Sequence, residues 1–181
     1  MSARILLIGL DGATLDLIEP WAARGDLPHL ANLMEGGAWG RLRSTTPPAT
    51  FPAWTSLMTG VNPGQHGVFD FTRRVPGSYA VEFINATYRR QPSIWQLLSE
   101  AGKRVGVMGF PATYPPETLN GFQISGFDSP VATGIDHSFV SPPELYDDIR
   151  GAVGPYEITG FQEVRIAPGW HEMALRKLLH A

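Results

Sequence analysis

An aspartate follows directly after the first apolar run of the chain. Residues 4–10 are nearly all aliphatic, which is typical of a strand buried on both faces of a parallel sheet, and Asp11 comes next. Ligands of such sheets collect at the carboxyl ends of the strands. The carboxylate of Asp11 could therefore bind a metal ion, act as a nucleophile, or cap the next helix through a side-chain oxygen.

A threonine is the second candidate. Thr50 stands in the proline-stiffened stretch PPATFPAWTSLMTG, at the start of a predicted helix over residues 53–59. Backbone N–H groups and the helix dipole favour an anion such as phosphate at this place. The hydroxyl is a competent nucleophile only if its pKa is lowered, and a divalent metal is the natural activator where no thiol or base is near. The alternative role of Thr50 is an ordinary N-cap.

Several other phosphate chemistries fail at their central residues. The stretch LDGATLD is similar to the signature of haloacid-dehalogenase-type phosphatases, but Gly9 stands where their nucleophilic aspartate should be. The chain has neither a Gly-Lys-Ser/Thr phosphate loop nor a G-x-G-x-x-G dinucleotide fingerprint. A nucleotide-binding loop of either kind is therefore excluded.

Asp11 and Thr50, in this order, resemble two positions of the alkaline phosphatase superfamily, in particular its type I phosphodiesterase and nucleotide pyrophosphatase branch, over about residues 4–72. The resemblance implies that Asp11 ligates one of two divalent metal ions. It implies that Thr50, in its T-F-P sequence, binds metal and is the nucleophile that becomes covalently phosphorylated. The stretch T-G-x-x-P-x-x-H-G, from Thr59 to Gly67, matches a family signature that shapes the loop behind the nucleophile, so His66 is expected to be structural.

The chain also departs from the family pattern. Nucleotide pyrophosphatases usually carry an asparagine a few residues after the H-G pair, whereas this chain has Phe69-Asp70-Phe71, which leaves nucleotide specificity open. None of the five histidines is preceded four residues earlier by aspartate, so the family's Asp-x-x-x-His metal motif is missing. Asp136-His137 superficially matches the family's Asp-His pair, but its loop-like context indicates a chance match. We therefore expect these 181 residues to be the N-terminal part of a longer protein, and the remaining metal ligands to lie outside them.

The implied activity is metal-dependent phosphoryl transfer to water, by a phosphodiesterase, nucleotide pyrophosphatase or phosphatase with a threonine nucleophile. The resemblance implies zinc at both metal sites, and a ligand set of oxygen and imidazole leaves manganese or magnesium as alternatives. The partner is a small-molecule phosphate ester or diester. The alternatives are a related hydrolase of sulfate or phosphonate esters, and an inactive fragment or anion-binding scaffold. The isolated 181-residue chain is expected to be inactive and to self-associate.

Composition bounds the location and the partners. The 14 basic and 17 acidic residues give a formal net charge of −3, and no basic run exists to neutralise nucleic-acid phosphates. The absence of cysteine excludes disulfides and thiolate metal sites and favours a cytoplasmic location. The apolar run at residues 4–10 is too short to span a membrane.

Alternating strand and helix patterns must position these residues. Strands are predicted at 4–10, 38–44, 104–110 and 121–127, and a small hairpin or cap insertion at 75–90. Helices are predicted at 14–23, 27–34, 53–59, 92–102, 142–153 and 170–181. This order predicts an α/β fold with a mainly parallel sheet sandwiched by helices, alkaline-phosphatase-like and incomplete at its C-terminus, with residues 1–181 forming the N-terminal part of one domain.

Overall fold

The structure is a computed structural model that describes residues 4–129 and 137–153. Two compact units divide the chain, Met1–Ser44 and Thr45–Ala181. Within the described residues, the longest helix has 10 residues, and none is long and apolar enough to cross a membrane.

The first unit contains two helices, α1 (Leu15–Ala23) and α2 (Pro28–Gly36). Thr14 caps α1, because its hydroxyl oxygen accepts the N–H of Asp16 at 3.3 Å. Pro28 is the first residue of α2, as the sequence predicts, since this position needs no N–H donor.

The strands predicted at residues 4–10 and 38–44 are absent from the structure. A strand exists only when a neighbouring strand accepts and donates its ladder hydrogen bonds, and an apolar run does not by itself provide that neighbour. Instead, Arg41 from the second segment reaches α1, where its guanidinium donates to Asp16 at 2.7 Å and to Glu19 at 3.2 Å.

The second unit begins with α3 (Thr50–Thr59) and the single turn α4 (Pro63–His66). The buried residues of α3 recur at helical spacing: Phe51, Pro52, Thr55 and Met58. Gly60 ends the helix in the left-handed conformation, with φ +72°, and its N–H reaches the carbonyl of Ser56 at 2.8 Å.

A short antiparallel hairpin follows, made of β1 (Thr72–Arg74) and β2 (Val81–Phe83). It overlaps the segment 75–90 of the predicted insertion but starts before it. A 3₁₀ turn at Ala86–Tyr88 comes next, capped by the side chain of Asn85.

A helix-to-strand unit then leads into the main sheet, as predicted. Helix α5 (Ile94–Glu100) is capped by Ser93, whose Oγ accepts the N–H of Gln96 at 3.1 Å. Strand β3 (Val105–Phe110) pairs in parallel with β4 (Gly121–Ser125), and β4 pairs antiparallel with β5 (Val140–Ser141). Helix α6 (Leu145–Val153) packs beside β5.

The α/β class is thus correct. In the described residues the main sheet has three strands, with one parallel and one antiparallel pair, so the mainly parallel sheet between helical layers stays a prediction. The helix predicted at 170–181 lies outside the described residues.

Candidate active site

Thr50 is the first residue of α3 and is half-buried. The N-cap is Ala49, in an extended conformation and without a side-chain capping hydrogen bond. The prediction that Thr50 is an ordinary N-cap is therefore wrong, because Thr50 already lies within the helix and Ala49 is the cap residue. The helix predicted over residues 53–59 therefore starts three residues too late.

An aromatic cluster holds the start of α3. The ring of Phe51 lies 4.4 Å from that of Phe71 and 5.9 Å from that of Phe127, measured between centroids. Phe51 is 3% exposed and also packs in a core cluster with Val68, Ile84 and Ala112. The residue next to Thr50 is thus fixed from several sides, and Phe71 belongs to the Phe69-Asp70-Phe71 segment that departs from the family pattern.

The histidine of the H-G signature is fully buried. The backbone N–H of Val68 donates to Nδ1 of His66 at 3.1 Å, so Nδ1 carries no proton and Nε2 does. Nε2 lies 2.9 Å from Oγ of Ser56 on α3. Burial lowers the pKa of the His66 imidazole. Both ring nitrogens have protein partners, which is the structural role expected from the sequence.

Asp128 supports the same region and was missed by the sequence analysis. It follows β4, and its carboxylate accepts the backbone N–H groups of Ala112 and Tyr114, both at 3.1 Å. Ala112 has φ +58°, a conformation that non-glycine residues rarely adopt, and it packs in the cluster with Phe51. Burial raises the pKa of the Asp128 carboxyl. Its place just after a strand was the available signal.

Asp11 lies in the first unit, in a turn with Gly12 at φ +68°, and is exposed. The residue that caps α1 is Thr14, so the capping role considered for Asp11 is wrong. Asp11 and Thr50 belong to different compact units.

The metal ligand set is incomplete within the described residues. No group of three or more histidine, cysteine, aspartate or glutamate side chains in residues 4–129 and 137–153 could hold a metal ion. Asp136 lies outside the described residues. His137 is exposed, and its ring lies 3.8 Å from that of Tyr146 between centroids, tilted by 47°. The described residues alone therefore do not fit a two-metal centre.

The chain matches the model of the family described as Type I phosphodiesterase / nucleotide pyrophosphatase over residues 5–178. It is 27% identical over 115 residues to human ectonucleotide pyrophosphatase/phosphodiesterase family member 1, and 28% identical over 116 residues to the rat protein of that name. In both cases the match covers 60% of this chain and 12% of the relative. No solved structure gives a significant match.

Proposed function

Because the chain belongs to the type I phosphodiesterase / nucleotide pyrophosphatase family, we propose that the protein hydrolyses phosphate esters or diesters with Thr50 as its nucleophile. The observation that carries the proposal is the position of Thr50 as the first residue of α3, within the matched segment. A phosphoryl group at a helix start meets backbone N–H groups and the positive end of the helix dipole.

In the proposed reaction, Oγ1 of Thr50 attacks phosphorus, the bond from phosphorus to the leaving oxygen breaks, and the hydroxyl proton passes through solvent to that leaving oxygen. The product is a phospho-threonine and a released alcohol or phosphate ester. The oxygen of a water molecule then bonds to phosphorus, the bond from phosphorus to Oγ1 breaks, and phosphate or a phosphate monoester is released while a water proton restores the Thr50 hydroxyl. The rigid packing of Phe51 keeps Thr50 in place between the two steps.

We propose Asp11 as a ligand of one of two divalent ions, with Thr50 as the oxygen ligand that the reaction uses. Such ions, zinc by expectation and manganese or magnesium as alternatives, would supply the charge that lowers the pKa of an attacking hydroxyl and stabilises a leaving oxygen. Asp11 is exposed, and it lies in a turn directly after the apolar segment 4–10, which is the position that the family resemblance implies for a metal ligand.

The test replaces Thr50 in the full-length protein. Thr50→Ala should lower turnover of a p-nitrophenyl phosphodiester by several orders of magnitude, because the covalent step needs the hydroxyl. Thr72→Ala is the matched control, since Thr72 is also a half-buried threonine but lies on β1, outside α3 and the signature stretch. It should leave turnover within a few-fold of wild type.

Circular dichroism should show that Thr50→Ala keeps the fold, because Ala49 and not Thr50 occupies the cap position of α3. Near-normal turnover by this variant would refute the proposal and favour the non-catalytic, anion-binding scaffold. Hydrolysis of sulfate or phosphonate esters but not of phosphodiesters would point instead to the related hydrolases.

A further inference from the structure

A cationic cavity lies beside the signature loop in the second unit. Its volume is about 420 Å³, within the range of small-molecule sites. The loop, the hairpin and the 3₁₀ turn that follows it contribute the lining residues: Gly67, Arg73, Ile84, Thr87, Tyr88 and Arg90.

The backbone of Arg90 is held against the signature loop, and its side chain is exposed. Its backbone N–H donates to the carbonyl of His66 at 3.0 Å, and its side chain lies across Gly67. Gly67 has φ +81°, a conformation that favours glycine, and a Cβ there would come within 3.0 Å of Nε of Arg90. Among the described residues, the guanidinium of Arg90 makes neither an ion pair nor a hydrogen bond.

Arg73 enters from the hairpin. Its Nε donates to Oε1 of Glu82 at 2.5 Å, and its guanidinium carbon lies 4.0 Å from the ring centroid of Tyr88. These two contacts hold the guanidinium plane and engage only Nε, which leaves the terminal amino groups for a ligand. One carboxylate against two guanidinium groups gives the cavity an excess positive charge.

The cavity shares its apolar wall with the start of α3. Ile84 lines the cavity and packs in the core cluster that contains Phe51, and Tyr88 packs against the same cluster. Thr50 precedes Phe51 in the chain, so the wall that supports the proposed nucleophile is also the wall of the cavity.

We propose that Arg90 and Arg73 form a binding site for a phosphate or carboxylate group, and that this group is a second anionic group of the substrate, distinct from the phosphoryl group that is transferred. The assignment of this group to the substrate rests on the proposed function. Guanidinium groups bind such oxyanions through paired N–H donors, and the cavity admits a small ligand.

The experiment compares two diesters with the same leaving group in the full-length protein. These are ethyl p-nitrophenyl phosphate and its analogue with a terminal phosphate on the ethyl group. Arg90→Gln should lower kcat/KM about 10- to 100-fold for the phosphate-bearing diester and leave the ethyl diester within about twofold. The analogue with a terminal carboxylate in place of that phosphate tells which oxyanion the site prefers.

Arg74→Gln is the matched control, because Arg74 neighbours Arg73 on β1 but lies over Tyr79 and does not line the cavity. It should change neither substrate. If Arg90→Gln does not fold, Arg73→Gln should show the same selective loss. An equal effect on both diesters, or none on either, would overturn the proposal.

Failure of the proposed function has a separate signature, which is no turnover of either diester by the wild-type protein. The anion site is then decided by calorimetry with inorganic phosphate on protein treated with chelator. Binding by wild type that Arg90→Gln abolishes supports the site. No binding by wild type overturns it.

Discussion

At the residue scale, the structure excludes a helix-capping role for both candidate site residues, Thr50 and Asp11. Ala49 and Thr14 occupy the cap positions that could have explained Thr50 and Asp11. Short polar residues such as threonine and aspartate are common both at helix caps and in active sites. The residue type alone therefore does not distinguish the two roles. Only the local backbone geometry, which depends on where each helix starts, separates them.

Asp11→Asn in the full-length protein should lower the metal content without unfolding it. The change removes the charge that balances a divalent cation, while the exposed position makes the effect on the free energy of unfolding small, about 0.5 kcal/mol or less. Elemental analysis of purified protein measures the content. Asp26→Asn, exposed in the same unit, is the control and should retain wild-type metal. Unchanged stoichiometry in Asp11→Asn would remove Asp11 from the ligand set.

His66 should make the stability of the protein fall in mild acid. Burial lowers the pKa of its imidazole in the native state, so the unfolded chain binds the proton more tightly. The contribution is complete above about pH 6.5, the unfolded value, and is lost as the pH falls toward the lowered native pKa. Urea unfolding across this range measures the slope.

His66→Gln should flatten that slope and cost about 1–3 kcal/mol at neutral pH, since the N–H of Val68 loses its acceptor. His29→Gln, exposed on α2, should keep the wild-type slope. An unchanged slope in His66→Gln would assign the pH dependence to another group.

At the element scale, one carboxylate joins three parts of the second unit. Glu117, in the connection between β3 and β4, accepts hydrogen bonds from Arg89, Trp95 and Ser93, the last at 2.8 Å. The side chain of Arg89 is 7% exposed and that of Glu117 is 19% exposed, so this ion pair is largely withdrawn from water. Helix α5 is thereby tied to the segment after the hairpin.

Glu117→Gln should destabilise the protein by about 3 kcal/mol, because it leaves the buried charge of Arg89 without its partner. Glu82→Gln breaks another Arg–Glu pair, with Arg73, whose side chains are 47% and 34% exposed. That control should cost about 1 kcal/mol or less. Chemical unfolding compares them, and equal losses would mean that burial adds nothing to the Glu117 contact.

The helices were predictable because their signals are local. Ser93 and Pro28 act within one turn of their own helices, and the structure has both at the helix starts where the sequence indicates them. Strands and supporting contacts depend on distant partners. Three examples are the pairing of the two-residue strand β5, the hydrogen bond from Ala112 to Asp128 and the hydrogen bond from Arg89 to Glu117. Each connects residues that are far apart in the sequence and share no local pattern.

At the scale of the whole molecule, the first unit presents apolar side chains to solvent. Neither α1 nor α2 has a buried residue. In the segment 5–10, five aliphatic residues are exposed, with Ile5 at 92% and Leu6 at 84%. The sequence predicted this segment as a doubly buried strand, and its composition suits burial far better than exposure. Contiguous apolar surface of this kind promotes association.

The 181-residue polypeptide should therefore self-associate through residues 5–10. Leu6→Lys combined with Ile8→Lys should shift it toward monomer, because two desolvated ammonium groups would oppose any contact that buries this segment. The control pair is Val81→Lys with Phe83→Lys, which changes two exposed apolar residues of the hairpin, at 63% and 80% exposure, and should leave association unchanged. Sedimentation velocity over a concentration series measures the monomer fraction, with circular dichroism checking that each variant is folded. A wild-type polypeptide that stays monomeric at every concentration would refute self-association, and an equal effect of both pairs would mean that added charge, not this segment, controls it.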